Sequence, residues 1–329
     1  MSSPRTARIA VLSSLGTDVV AAALRRLPGT EVIEARSEAE LLEHLPGSTV
    51  LVLMGQTYTE GIASALERSP SARLIQLLTA GYDRLEKLGV PAHVEVATAG
   101  PSRSPAVAEH AMALMLACAR NLPQAHAAQR ERRWSTEPRK GIGMLLESTL
   151  LVVGFGSIGQ ELAERARAFG MRVEGVNRSG RPHPLAERMY TPDRLGEALG
   201  NADFVVLALP STAESRRLFG RDQFDAMKPS AVLVNVGRGD IVDTDALVEA
   251  LRDGRVRGAA LDVMDPEPLP ADSPLWALDN VVITPHVGGI GGAVGNGILA
   301  RFVAENVGRV LSGEPARFVV DARAFRRGR

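Results

Sequence analysis

Short apolar runs rich in Val, Ile and Leu recur along the chain and alternate with segments whose apolar residues fall at helical spacing. ARIAVLS, EVIEA, TVLVLM, RLIQLL and VEVATA occupy the first hundred residues, with helices predicted at residues 19–26 and 38–44. A second series begins at Thr149 and runs through TLLVVG, MRVEGV, ADFVVLALP, SAVLVNVG, VRGAALDV and NVVITPH. Strands this uniformly apolar are buried on both faces, and strands that alternate with helices pair in parallel. The pattern predicts an α/β protein with parallel sheets covered by helices.

Between the two series, SPAVAEHAMALMLACARNLPQAHAAQRER reads as one long helix, with Ser104 as its N-cap and Pro105 at the first position, where a missing N–H costs nothing. It is long enough to bridge two domains. TEPRKGIGM reads as a polar loop after it. The chain's 329 residues, 45% of them hydrophobic, supply material for two cores.

Lys plus Arg equals Asp plus Glu at 38 each, so no overall field draws the protein to nucleic acid or to an acidic membrane. A charged substrate must therefore be recognised locally. Only Lys87, Lys140 and Lys228 are lysines, a bias that points to the genome more than to a binding surface. Cys118, the sole cysteine, lies in AMALMLACAR and is expected in the core; an intrachain disulfide and a Cys-x-x-Cys zinc cluster are excluded, and no metal site is expected. MSSPRTARIAVLSS lacks a signal-like apolar segment, and no apolar run of roughly 18 residues occurs, so a cytoplasmic protein is expected. DARAFRRGR reads as a solvated tail.

LLVVGFGSIGQELAERARAFG places Gly154, Gly156 and Gly159 in the spacing G-x-G-x-x-G directly after an apolar strand. Ile158, Leu162 and Ala166 then give a helical apolar face, and Gly170 ends the helix. In that context the loop is a phosphate cradle. Its glycines allow a tight turn, close backbone approach to a pyrophosphate and close helix packing, while the helix opening at Ser157 and Ile158 presents free N–H groups to the anion. About 20 positions on, an acid would accept the ribose hydroxyls. VEGVNRSG offers Asn177 there, followed by Arg178 and Ser179. Asn177 removes a carboxylate that would repel a 2′-phosphate, and Arg178, Ser179 and Arg181 add a cation and donors suited to one. The cofactor expected is NADP(H), with NAD(H) as the alternative.

VLVNVGRGDIVD, GAALDVMDPEPLP and LDNVVITPHVGG follow in that order. With the glycine loop, LLTAGYDRL and SPAVAEHAMALML, they give a chain that resembles the D-isomer-specific 2-hydroxyacid dehydrogenase family over nearly its whole length, nearest in appearance to the NADPH-dependent glyoxylate/hydroxypyruvate reductases. The resemblance implies two Rossmann-like α/β domains with parallel sheets. Residues 1–103, completed by a returning segment at 292–329, would form a flavodoxin-like substrate domain, and residues 104–291 the dinucleotide-binding domain. It also implies a homodimer.

Three residues map onto the family's catalytic set, and each has its own chemical rationale. Arg238 offers a fork of donors to hold a substrate carboxylate and polarise the neighbouring keto oxygen. His286 can give that oxygen a proton as hydride reaches carbon. Glu267 would bond the imidazole, orient it and favour its charged form. Asp265 is a nearby alternative, but the family pattern sets the acid directly before proline, as in Glu267-Pro268. By the same resemblance Asp262 would contact the nicotinamide carboxamide; Pro210, with Ser211 and Thr212, the adenosine half; and the backbone N–H groups of Thr79, Ala80 and Gly81 the substrate carboxylate. His44, His93, His110, His126 and His183 match no such pattern and read as structural. Tyr82 and Trp276 either border the cleft or simply pack.

The expected activity is hydride transfer from NADPH to a small 2-oxo acid of the glyoxylate or hydroxypyruvate kind. The alternatives are NAD-dependent oxidation of phosphite or phosphoglycerate, and a non-catalytic nucleotide-sensing role like that of the related corepressors. Because the sequence stops soon after ILARFVAENVGRVLSG, the regulatory extension of many phosphoglycerate dehydrogenases is not expected, which lowers that reading.

Overall fold

The computed structural model describes residues 6–14, 16–139 and 141–325. Residues 1–5 and the last four of the arginine-rich end, on which two of the readings above partly fall, lie outside the described residues. The chain divides into two units: one runs to Arg103 and resumes at Gly291, and the other is Ser104–Ile290.

The first unit alternates β1 (Ala7–Leu12), α1 (Thr17–Leu24), β2 (Thr30–Ala35), α2 (Glu38–His44), β3 (Val50–Leu53), α3 (Glu60–Glu67), β4 (Leu74–Leu77), α4 (Asp83–Leu88) and β5 (Glu95–Ala97). Its strands pair in the order β2-β1-β3-β4-β5, all parallel, which is the flavodoxin-like order. Local chemistry sets the helix starts: the Ser37 and Thr59 hydroxyls accept the Glu40 and Ile62 N–H groups, both at 3.2 Å.

The second unit contains α5 (Ser104–Ala119), α6 (Leu122–Arg130), β6 (Thr149–Val153), α7 (Ser157–Ala168), β7 (Arg172–Val176), β8 (Arg188–Tyr190), α8 (Leu195–Asn201), β9 (Phe204–Leu207), α9 (Arg221–Ala226), β10 (Val232–Asn235), α10 (Thr244–Arg252), β11 (Gly258–Leu261) and β12 (Val281–Ile283). The order β12-β11-β10-β9-β6-β7-β8 is again fully parallel. Every residue of β6, β9, β10 and β11 is buried, as the unbroken apolar runs require. The chain builds the sheet outward in both directions from β6, so β6 and β9 flank its switch point.

From there α11 (Gly292–Leu311) returns to the first unit. Asn306, 1% exposed, donates to Gln76 Oε1 of β4 at 2.7 Å and accepts the Arg317 N–H at 2.6 Å; Gln76 in turn donates to the Thr98 carbonyl at 3.0 Å. Two buried amides thereby satisfy each other and fix the returning segment.

Four local expectations differ from the structure. The long helix is two, α5 and α6. A continuous helix would set Pro123 against the Ala119 carbonyl with no N–H to give it; instead Asn121 turns left-handed at φ 49° and Ala119 O accepts the Gly143 N–H at 2.9 Å. Ser104 is not an N-cap. The turn Gly100–Arg103 runs directly into α5, and the Ser104 hydroxyl donates to Ser157 Oγ at 2.9 Å. The edge strand β8 was not foreseen, since three residues carry too little pattern. Among the described residues no helix is long and apolar enough to cross a membrane, and no group of three His, Cys, Asp or Glu side chains could hold a metal ion. Cys118 is half-buried rather than in the core, and burial pushes its thiol up to about 11 against the opposing charge of Arg257.

Candidate active site

Because every strand of the second sheet runs the same way, all the strand C-termini lie at one edge. Along that edge the sheet order sets, in sequence, His286 after β12, Asp262 and Glu267 after β11, Arg238 after β10, Pro210 after β9, the glycine loop after β6 and Asn177–Ser179 after β7. Residues up to 132 positions apart in sequence thus form a single row.

The three loop glycines meet different surroundings. A Cβ on Gly154, whose φ is 98°, would stand 2.7 Å from the Ala208 backbone, and one on Gly159 2.6 Å from Gly154 O. These two permit close approach of β9 and of α7. Around a Cβ on Gly156 nothing lies within 4 Å. Among the described residues that space is open, and the first turn of α7, beginning at Ser157 and Ile158, holds no acid and no side-chain cap. A pyrophosphate fits such a cradle.

Asn177 does more than omit a charge. Its Oδ1 accepts from Ser179 N (3.0 Å), Ser179 Oγ (3.1 Å) and Gly180 N (2.8 Å), folding the segment into a tight turn. Arg178 and Ser179 stand exposed on it. Beyond β9, Ser215 Oγ donates to Pro210 O at 2.7 Å and accepts the Thr212 N–H at 2.7 Å, while Ser211 Oγ donates to Asp240 Oδ2 at 2.6 Å. Asp240 ties that loop to the turn carrying Arg238.

Arg238 is held by its neighbours. A Cβ on Gly237 would lie 2.7 Å from Leu209 O, and one on Gly239 would collide with the Met264 carbonyl group. Asn235, wholly buried, donates to Arg238 O at 2.8 Å and accepts the Gly237 N–H at 3.1 Å. Sequence reading passed over Asn235. A polar residue closing an apolar strand was the available signal.

His286 Nδ1 lies 2.9 Å from Glu267 Oε2, and Glu267 Oε1 accepts the Met264 N–H at 3.1 Å. An ionised carboxylate only accepts, so Nδ1 carries the proton and Nε2 is the nitrogen left for a substrate. Burial pushes Glu267 up, yet the bonds from His286 and Met264 N–H and the charges of His286 and Arg238 bring it net down. The Glu267 hydrogen bond raises the His286 pKa above its ordinary value; burial opposes, the Glu267 charge adds, Arg238 lowers it and Asp262 raises it. Asp265, the rival acid, makes no such contact.

Asp262 stands at the end of β11, the strand terminus where the sequence sets it. Only 2% exposed, it accepts from Thr284 Oγ1 (2.7 Å), Val287 N (2.9 Å), Gly288 N (2.9 Å) and His110 Nε2 (3.3 Å). Its carboxylate accepts four donors from within the protein and fastens the turn that carries His286. His286 has φ +53°, costly for a side-chain-bearing residue, and its N–H bonds to Asp262 O (2.8 Å) and Thr284 O (3.0 Å) hold it there. Burial raises the Asp262 pKa, but the donors from His110, Thr284, Val287 and Gly288 outweigh it and bring it to about 2. A folded-state value below the unfolded one, about 3.9, means the contribution is present above that pH and lost as pH falls toward 2. Asp262→Asn, which turns donors toward donors, is expected to lower unfolding free energy by about 2 kcal/mol at pH 7, and by much less at pH 2.5. Urea titrations at the two pH values read the difference.

In the first unit, Thr79–Gly81 follow β4. The Thr79 hydroxyl donates to Gly81 O (2.9 Å) and accepts the Gly55 N–H (3.1 Å), so its side chain shapes the loop. The N–H groups of Ala80 and Gly81 have no partner among the described residues. Tyr82 packs edge-on against Phe325 at 6.0 Å, and the exposed Trp276 donates its indole N–H to Pro270 O at 2.9 Å.

A doubly wound parallel sheet with a glycine loop at its switch point is a Rossmann-type nucleotide-binding domain. Residues 112–288 match the model of the D-isomer specific 2-hydroxyacid dehydrogenase family, NAD binding domain. The chain belongs to that family of NAD(P)-dependent oxidoreductases. It is 38% identical over 301 residues to a D-3-phosphoglycerate dehydrogenase of Methanocaldococcus jannaschii, covering 91% of this chain and 56% of that protein. It is 34% identical over 284 residues to a glyoxylate reductase of Thermococcus gammatolerans, covering 83% of each. The crystal structure of an NADPH-dependent glyoxylate/hydroxypyruvate reductase from Sinorhizobium meliloti, in complex with NADP and sulfate, superposes with a TM-score of 0.82 at 27% identity, over 97% of this chain and 100% of that one.

Proposed function

We propose that the protein is an NADPH-dependent reductase of small 2-oxo acids of the glyoxylate and hydroxypyruvate class. The observation that carries the reading is the row along one sheet edge, from the His286–Glu267 pair through Arg238 and the glycine loop to the Asn177 turn. The names of the Thermococcus and Sinorhizobium relatives support it.

When bound, the reduced nicotinamide supplies the hydride. Gly154, Gly156, Ser157, Ile158 and Gly159 hold the pyrophosphate; Arg178 and Ser179, displayed by the Asn177 turn, receive a 2′-phosphate; Pro210 borders the adenosine half. Arg238 pairs with the substrate carboxylate and draws electron density from the keto oxygen. His286 gives that oxygen the Nε2 proton as the carbon is reduced, and Glu267 stabilises the imidazolium beforehand. The product is the 2-hydroxy acid, and His286 regains its proton from water. The Ala80 and Gly81 N–H groups, with Thr79 shaping their loop, are donors of the kind a carboxylate bound to the first unit would need.

Reduction needs the imidazolium, present below the His286 pKa and lost as pH rises through it. kcat/KM for reduction therefore falls at a pH above the ordinary imidazole value. Glu267→Gln removes the main cause of the elevation, and the fall is expected to move to lower pH. A pH profile with the limb unmoved would take Glu267 out of this role.

Glyoxylate, hydroxypyruvate and pyruvate assayed with NADPH and NADH test class and cofactor together. Oxidation of phosphoglycerate with NAD as the faster reaction would favour the second reading, which the 38% identity to the Methanocaldococcus enzyme supports. A homodimer through the second unit accords with the exposed Leu122, Trp134, Met144, Leu146 and Phe169. Sedimentation equilibrium showing a monomer would remove it.

A further inference from the structure

We propose that His110, on α5, is a positioning residue that sets the geometry of His286 from beneath. The proposal rests on the reading of His286 as proton donor. His110 matched no motif, yet its Nε2 lies 3.0 Å from Thr284 Oγ1 and 3.3 Å from Asp262 Oδ1. Thr284 has one hydroxyl proton, and Asp262 Oδ1 receives it at 2.7 Å. Only lone pairs remain toward the ring, and an ionised Asp262 accepts only. His110 therefore presents Nε2–H to both.

The three side chains form one unit under the turn at residues 284–288. Asp262 receives the Val287 and Gly288 N–H groups, and a Cβ on Gly288 would stand 2.8 Å from Asp262 Oδ2 and 3.2 Å from His110 Cδ2. The imidazole fills the space below the turn as well as donating into it. Asp262, Thr284, Val287 and Gly288 all belong to the ends of β11 and β12. His110 alone comes from a different element, a helix packed on β10 and β11. It fixes the height of the turn over the sheet, and with it the 2.9 Å contact between His286 and Glu267. Without that donor Asp262 Oδ1 keeps two of its three partners, and the turn gains slack.

The charged groups acting on the His286 ring are Glu267, Arg238 and Asp262. Of these, Asp262 is the one His110 touches.

The test compares His110→Ala, His110→Phe, which fills the space without donating, and His110→Gln, whose amide N–H reaches the same acceptors. Thr284→Val removes the hydroxyl bridge by a second route. Readouts are kcat, KM and NADPH dissociation constant with glyoxylate, and the His286 ring pKa by NMR titration. His110→Ala, His110→Phe and Thr284→Val are expected to lower kcat roughly tenfold, with NADPH affinity kept, and to bring the His286 pKa down as the Glu267 contact loosens. Gln restores most of both. A His286 titration unchanged in all of the non-donating variants overturns the proposal, whatever happens to kcat. Full turnover by His286→Ala would instead remove the proton-donor reading, while the NMR shift still decides whether His110 positions the ring.

Discussion

Replacing His286 by alanine is expected to lower kcat by roughly 10²- to 10⁴-fold while NADPH binds about as before. Among the side chains along the sheet edge, His286 has a ring nitrogen left over once Glu267 has taken Nδ1. Its pKa is raised by that contact, so the charged form a proton donor needs persists to higher pH than in an ordinary imidazole. The glycine loop and the Asn177 turn, which would hold the cofactor's phosphates, follow β6 and β7, several strands from β12. Loss of the imidazole leaves them intact. Arg238→Ala should behave differently, raising KM as well as lowering kcat, because one guanidinium serves both bound substrate and transition state. Steady-state kinetics with a fluorescence titration of NADPH separate the two patterns. Turnover by His286→Ala within a few-fold of the parent enzyme would end the assignment.

Periodicity made the two parallel sheets legible, because strands buried on both faces leave uninterrupted apolar runs such as TLLVV and FVVL. The row of functional groups was legible for the same reason: each quoted motif follows an apolar run, and parallel pairing brings run ends to one edge. Where a single residue overrides a periodic pattern, the reading failed. Pro123 ends α5 inside a stretch whose apolar spacing continues. Long-range side-chain bonds were also invisible. Asp262 stands at a strand end in the expected position, but its partners are 22 to 26 residues later and, through His110, 152 residues earlier. Nothing in GAALD distinguishes a carboxylate aimed outward from one buried beneath a turn. Asn177 shows a third limit. Its type announced the missing charge, while its three accepted bonds depend on Ser179 and Gly180 folding back, a turn that the residue types alone do not dictate.

Those three bonds make Asn177→Asp the sharper test of cofactor choice. A simple reading treats Asn177 as the absence of an acid, so that any neutral residue would do. The geometry says otherwise. Aspartate can accept the same three bonds through one oxygen and keep the turn, while its second oxygen takes the place of the amide NH₂ and brings a full negative charge. Beside a 2′-phosphate that charge repels, and beside ribose hydroxyls it accepts hydrogen bonds. Asn177→Asp is thus expected to lower kcat/KM for NADPH by roughly 100-fold, about 2.7 kcal/mol, to raise it for NADH, and to leave the fold unchanged. Asn177→Ala removes the acceptor without adding charge, so the turn loosens, Arg178 and Ser179 lose their placement, and NADPH suffers without gain for NADH. Because Arg178 is exposed, a preference for NADPH that rests on it should also shrink as salt is raised. If Asn177→Asp retains the parent's ratio of NADPH to NADH efficiency, the 2′-phosphate is bound elsewhere and the turn after β7 is only a turn.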